Sequence, residues 1–200
     1  MASILVICTG NICRSPMAEG FLRGALRRTL GDDAPVIGSA GTSGWEGSRA
    51  MPESIEAAAE RDVDISGHVA RRLTHEHVAA ADVVIAMAGE HRDSVVRAMP
   101  EAAARTFSLK ELVRLLEALP TTGPVGADGL PARIAAADEL RRRGFRGNPH
   151  DEDIVDPLGL PLESFRAIAW ELDEWTRRLA RGLFAAAPAP AAASADEPPR

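Results

Sequence analysis

The chain has 200 residues, 46% of them hydrophobic, which is enough for one well-buried domain and short for two. A formal net charge of -6 argues against general affinity for nucleic acid or for an anionic membrane, while leaving room for a local basic pocket. No run approaches the roughly 18 apolar residues of a membrane span, the opening lacks the basic lead of a signal peptide, and two cysteines are too few for a disulfide framework or a structural zinc site. The expectation is a cytoplasmic chain that engages neither nucleic acid nor membrane and uses no metal or other cofactor.

Ser3–Ile7 is apolar with little alternation, which predicts a strand buried on both faces, as in a parallel sheet. After a short loop, Ser15 and Pro16 read as an N-cap followed by a proline at the first helical position. Met17, Phe21, Leu22, Ala25 and Leu26 then share one helical face, and the pattern fades near Gly31. Strand, tight loop and helix make the first half of a βαβ unit. Further on, a strand is expected at Val36–Ser39, a helix at Pro52–Arg61, a strand at Val83–Met87 and a helix at Glu90–Ala98. Arg105–Phe107 is a candidate fourth strand, Leu109–Leu119 a helix after it, and Leu162–Phe184 carries Phe165, Ile168, Leu172, Trp175 and Leu179 in helical register. This alternation predicts an α/β fold: one three-layer domain over residues 1–184, with a central four-stranded parallel sheet flanked by helices. Residues 120–150 interrupt the pattern, glycine- and proline-rich over Pro120–Pro131, helical over Ala132–Arg143 and loop-like over Gly144–His150, and read as an inserted excursion. Ala185–Arg200 has no apolar face to bury and reads as a disordered tail.

The loop after the first strand, CTGNICRSP, holds both cysteines. A loop between the C-terminal end of a parallel strand and a helix N-terminus is where open α/β sheets bind ligands. Successive backbone N–H groups and the positive helix pole make an anion nest there, and the same field favours thiolate over thiol. Cys8 is therefore the candidate nucleophile. Arg14 follows at the spacing of a phosphate cradle, and its planar guanidinium suits two equatorial oxygens of a phosphoryl group. Gly10 and Asn11 tolerate the left-handed backbone of a tight cradle. The Gly-Lys-Ser/Thr ending of a nucleotide-binding P-loop is missing.

A phosphoryl transfer also needs a proton donor for its leaving oxygen. In HDEDIVDP, Asp151, Glu152, Asp153 and Asp156 are all candidates. Asp156 is preferred because the next residue, Pro157, fixes the backbone and because Ile154 and Val155 should pin that end of the loop. Asp151 and Asp153 are expected to be dispensable solvated charges.

CTGNICRSPMAE resembles the signature of the low molecular weight protein tyrosine phosphatases, a fold that also hosts protein-arginine phosphatases and thioredoxin-linked arsenate reductases. GSAGTSGW at Gly38–Trp45, HVARRLT at His68–Thr74, ADVVIAM at Ala81–Met87 and the Asp156–Pro157 pair occur in the family's order, so the resemblance covers roughly residues 3–112 and 151–183. It implies metal-independent hydrolysis of phosphotyrosine proteins or small aryl phosphates through a phosphocysteine on Cys8. Arg14 would bind the phosphoryl group, and Asp156 would serve as general acid and then base. Thr9, Gly10, Asn11, Ile12, Cys13 and Ser15 would complete the phosphate-binding loop. Ser39 and His68 would support it; read alone, they are a turn serine and a packing histidine. Trp45 would wall the substrate cleft. Cys13, across a tightly curled loop from Cys8, reads either as the resolving partner of a reversible Cys8–Cys13 redox pair, consistent with some members of the family, or as a small apolar filler under the helix.

The chain departs from the family pattern after Asp156–Pro157, where Leu158 stands in place of the usual aromatic, and it contains no tyrosine. Ile12 matches the tyrosine-directed members, whereas arginine-directed members tend to have threonine there. Two other functions share these features: arsenate reduction by Cys8 with an external small thiol, and phosphate binding without turnover. The resemblance names no partner kinase.

Overall fold

A computed structural model of the chain describes residues 2–120, 126–145 and 151–184. The expected disordered tail lies outside the described residues, as do 121–125 and 146–150. The fold is built on four parallel strands, β1 (Ser3–Cys8), β2 (Val36–Gly41), β3 (Val83–Ala86) and β4 (Thr106–Ser108), in the order β2-β1-β3-β4. The chain leaves β1 toward β2 on one side and later returns to β3 on the other. The C-terminal end of β1 thus lies at the point where the strand order reverses, where such sheets open a crevice.

Among the described residues seven helices cover the sheet: α1 (Arg14–Leu30), α2 (Pro52–Ala59), α3 (His75–Ala80), α4 (Gly89–Ala98), α5 (Leu109–Ala118), α6 (Leu130–Arg142) and α7 (Leu162–Phe184). The strands serve both layers because successive side chains point to opposite faces. Ile4, Val6 and Cys8 join the larger core, with Phe21 and Leu22 of α1, Leu112 of α5 and Phe165 and Leu172 of α7. Leu5 and Ile7 point to a smaller core closed by Val78 of α3 and Val95 of α4. From Ile4 to Cys8 the strand is therefore apolar at every position, because there neither of its faces meets water.

Three expectations change. The first helix begins at Arg14 with Cys13 at its N-cap, so Ser15 lies inside the first turn and is not the cap. The loop curls tightly enough to draw Ser15 beneath it, where its hydroxyl meets Cys8. Helix α3 was not expected; its six residues bury only Val78, too little for a periodic pattern, although Thr74 and His77 form a reciprocal capping box. The excursion after α5 is also more than an insertion, because Leu130, Ile134 and Ala137 of α6 are buried in the larger core. Arg141 of the same helix lies 4.1 Å from the centre of the Phe107 ring and donates to the carbonyls of Thr106 (3.1 Å) and Ala103 (2.8 Å), covering the outer edge of β4. Among the described residues no helix is long and apolar enough to cross a membrane.

Truncating Ile134 to Ala should cost about 2–5 kcal/mol, as expected for a side chain fully inside a packed core. Denaturant unfolding measures this, and a loss within error would show that α6 sits outside the cooperative unit.

Candidate active site

The β1–α1 loop is held from outside by its carbonyls. The carbonyl of Cys8 accepts from Thr42 N (2.9 Å), Thr9 from Ser43 N (3.0 Å), Gly10 from Trp45 N (3.1 Å) and Ile12 from Met51 N (2.9 Å). The carbonyl of Asn11 lies 2.8 Å from His68 Nε2. A trans peptide sets each carbonyl antiparallel to the following N–H, so tying these carbonyls outward turns the N–H groups of Gly10, Asn11, Ile12 and Cys13 inward. The N–H of Asn11 accordingly donates to Cys8 Sγ at 3.3 Å, and none of the other three donates to a described residue. The result is a nest of donors around the thiol at the positive end of α1.

Asn11 sets the curl. It stands at φ 59°, in the left-handed region, and is fully buried. Its Nδ2 donates to Ser15 Oγ and Ser39 Oγ, both at 2.8 Å, and its Oδ1 accepts from Arg71 N at 3.0 Å. Ser15 Oγ in turn sits 2.9 Å from Cys8 Sγ. Ser39 Oγ donates to Glu19 Oε2 at 2.5 Å, and Glu19 pairs with Arg23. The approach of β2 is equally tight: a Cβ on Gly41 would stand 2.6 Å from the carbonyl oxygen of Thr9. Burial pushes the Cys13 thiol up to about 12, so it stays protonated near neutral pH. Both cysteines are buried free thiols.

Arg14 is buried, with Nη1 donating to the carbonyl of Ile154 (3.0 Å) and Nη2 to Asp156 Oδ2 (2.5 Å) and Thr9 Oγ1 (3.4 Å). Its Nε is buried and meets no acceptor among the described residues, which leaves one donor of the fork for an oxyanion.

The four acids of the Asp151–Asp156 run have separate tasks. Asp151 pairs with Lys110 (2.7 Å) and Arg114 (3.0 Å), Glu152 pairs with Arg114 and accepts from Ser108 Oγ (3.2 Å), and Asp153 Oδ1 accepts from Gly89 N (2.7 Å) at the start of α4. Lys110 also reaches the carbonyl of Asp153 (3.1 Å) and Glu171 of α7 (2.7 Å). Asp151 and Asp153 are therefore anchors of the loop, exposed at the surface but each tied to a named partner. Asp156 alone of the four lines the cleft, with its side chain 42% exposed. Ile154 pins this end as expected, buried and donating to the carbonyl of Met87 at 2.7 Å, whereas Val155 is exposed.

The cleft is small, about 170 Å3, and is lined by residues 8–10 and 12–14 together with Trp45, Asp156 and Leu158. Trp45 and Leu158 are 52% and 45% exposed, forming an apolar rim above a polar floor. Ser39 and His68 act one step away, through Asn11. Sequence reasoning missed Glu19, Arg71, His91 and Lys110. Lys110 is the chain's single lysine, and its solitude was the one available signal. Among the described residues no group of three or more His, Cys, Asp or Glu is placed to hold a metal ion.

Changing Lys110 to Met removes the cation that joins Asp151 to Glu171. Both carboxylates are partly hydrated, so the cost should fall near the lower end for a broken pair, about 1–3 kcal/mol. Hydrogen exchange at the Ile154 amide should speed up in the variant; unchanged protection there would show that Lys110 does not hold the loop.

The sequence pattern of one family, low molecular weight phosphotyrosine protein phosphatase, matches residues 3–121. A protein-arginine-phosphatase of Geobacillus stearothermophilus is 33% identical over 180 residues, 90% of this chain and 95% of that protein. A low molecular weight protein-tyrosine-phosphatase of Escherichia coli K12, Etp, is 38% identical over 105 residues, 52% of this chain and 67% of that protein. Among solved structures, the YwlE arginine phosphatase from Geobacillus stearothermophilus superposes with a TM-score of 0.67 at 32% identity, covering 92% of this chain and 93% of that one. A low molecular weight protein tyrosine phosphatase from T. tengcongensis superposes with a TM-score of 0.66 at 33% identity, covering 90% and 97%. With the loop, the parallel sheet and the matched residues in agreement, the chain belongs to the low molecular weight phosphotyrosine protein phosphatase family.

Proposed function

We propose that the chain hydrolyses phosphate monoesters of aryl alcohols, phosphotyrosine in proteins among them, with no metal or other cofactor. The observation that carries this reading is the convergence of Cys8 Sγ, the inward N–H groups, the Arg14 fork and Asp156 on one cleft. Arg14 and the loop N–H groups hold the three non-bridging oxygens. Cys8 Sγ forms the S–P bond as the P–O bond to the leaving group breaks, and Asp156 gives its proton to the departing oxygen. In the second step the Asp156 carboxylate takes a proton from water as it attacks phosphorus, and the S–P bond breaks to return Cys8. The same loop supplies a resolving thiol for an oxidised Cys8. A Cys8 sulfenic acid formed by a peroxide would condense with the Cys13 thiol to a disulfide, releasing water.

The domain so used spans residues 1–184, with α6 as part of its body, and a cytoplasmic setting suits protein substrates. Ile12, buried beside the cleft, and the exposed ring of Trp45 favour an aryl group. A second reading, hydrolysis of phosphoarginine, has one observation in its favour: the arginine-phosphatase relative matches along 90% of the chain. Arsenate reduction and mere phosphate binding share the cradle and are separated by assay.

Purified protein is offered a phosphotyrosine peptide, a phosphoarginine peptide, and arsenate with a small thiol. Turnover of the first should dominate; dominance of the second or third transfers the function accordingly, and binding of phosphate with no turnover of any leaves only a binding module. Cys8→Ser should abolish turnover, and Asp156→Asn should slow aryl phosphates with poor leaving groups by about 10²–10⁴-fold while sparing activated ones. Equal loss on both leaving groups would remove Asp156 from the role of acid.

A further inference from the structure

His91 belongs to no feature the sequence singled out, yet it is almost completely buried, at 2% exposure, against the cradle. It sits in the first turn of α4, with Nε2 2.9 Å from Thr9 Oγ1 and 3.4 Å from Glu90 Oε1. Its other nitrogen, Nδ1, is buried and has no partner among the described residues. These contacts select one tautomer. The two atoms near Nε2 are both oxygens, one of them a carboxylate, which calls for a proton on Nε2. A proton on Nδ1 would be a buried donor with nothing to meet, a costlier arrangement than an unused lone pair. Burial first, and then the neighbouring Arg14 charge, hold the imidazole below its ordinary protonation range, so the neutral form with Nε2–H is the resting one.

The consequence falls on Thr9. Its oxygen accepts from His91 Nε2–H at 2.9 Å and, at a longer 3.4 Å, from Arg14 Nη2. A hydroxyl has two lone pairs and one proton. With both lone pairs taken, Thr9 is left only as a donor, and no described residue accepts that proton. The side chain lines the same cleft as Cys8 and Arg14. We propose that Thr9 is a substrate-contacting donor to a phosphoryl oxygen and that His91 is the positioning residue that fixes its direction, so that the loop holds its oxyanion with a side-chain hydroxyl as well as with backbone N–H groups and Arg14. The proposal rests on the phosphatase reading for its ligand, a tetrahedral phosphoryl group, and adds a donor that this reading does not require.

The test is binding of inorganic phosphate to the full chain by titration calorimetry, with aryl phosphate turnover measured alongside. Thr9→Val keeps the shape and removes the proton; phosphate should bind about tenfold or more weakly, as for loss of a hydrogen bond to a charged group. Thr9→Ser should restore affinity to within about threefold. His91→Leu should reproduce most of the Thr9→Val loss, whereas His91→Gln, whose amide nitrogen can stand where Nε2 stands, should retain most of the affinity. The double variant Thr9→Val with His91→Leu should bind no more weakly than Thr9→Val alone, because His91 acts only through that hydroxyl. Additive losses would overturn the coupling, and a Thr9→Val protein that binds phosphate like the wild type would overturn the donor. Either result can stand beside normal wild-type turnover, which keeps the phosphatase reading intact. Conversely, a wild type that binds phosphate in this pattern but turns over no monoester overturns that reading and leaves the donor in place.

Discussion

The site depends on a backbone constraint: five consecutive carbonyls of the β1–α1 loop, from Cys8 to Ile12, are each engaged from outside the loop. Because the intervening peptides are trans, this fixes the direction of the N–H groups without any of them being bonded to another part of the fold. Donors held in place before a ligand arrives need no reorganisation when charge develops, which is the main physical advantage of a protein cradle over water. Asn11 makes the turn: its left-handed backbone reverses the chain, and its amide spends three hydrogen bonds on Ser15, Ser39 and the backbone of Arg71. Three separate segments of the chain therefore meet in one buried side chain. Every polar atom in that set has a partner, the condition under which a buried network rigidifies its surroundings.

The second half of the site is carried far along the sequence and must be brought to the first. Arg14 bridges the distance by donating to the carbonyl of Ile154 and to Asp156, 140 and 142 positions away. A lone contact of this kind would be a weak tether. The stronger hold comes from Lys110 and Arg114 on α5, whose charges fasten Asp151 and Glu152, and from the α4 amide of Gly89, which receives Asp153. Lysine suits this position because its compact ammonium has three rotatable donors, and three oxygens approach it, two from the acidic loop (Asp151 and Asp153) and one from α7 (Glu171). Its side chain is 3% exposed, so the charge is stabilised almost wholly by these partners and by the Trp175 ring 5.8 Å away.

The apolar rim and the polar floor divide the work of recognition. The floor offers directed donors and a thiol, which suit a tetrahedral anion. Trp45 and Leu158 stand exposed above it and can contact whatever group carries that anion. Leu158 supplies apolar area without the ring face that an aromatic would present, so among the residues lining the cleft Trp45 alone offers a ring. His91 stands behind the floor, against Thr9. It approaches from α4, across the sheet from the α1 side, so both helical layers contribute to one loop.

The sequence by itself determined what is local. An unbroken apolar run from Ile4 to Ile7 requires a doubly covered strand, and amphipathic runs such as Leu162–Phe184 require helices with one buried face. The spacing of Cys8, Asn11, Arg14 and Ser15 sufficed for the cradle because these residues act within a single turn of chain. The sequence did not reveal that Ser15 turns inward instead of capping α1, that α6 fills the core, or that Asp151 and Asp153 are anchors. Only the tertiary structure decided these, and for one reason: each depends on a partner more than twenty residues away or on the curl of a loop, and neither leaves a periodic trace. An acidic run looks the same in sequence whether it faces water or a buried lysine. A lone histidine in a short helix has no signature until the strand beside it shows that its nitrogen meets the threonine that follows Cys8.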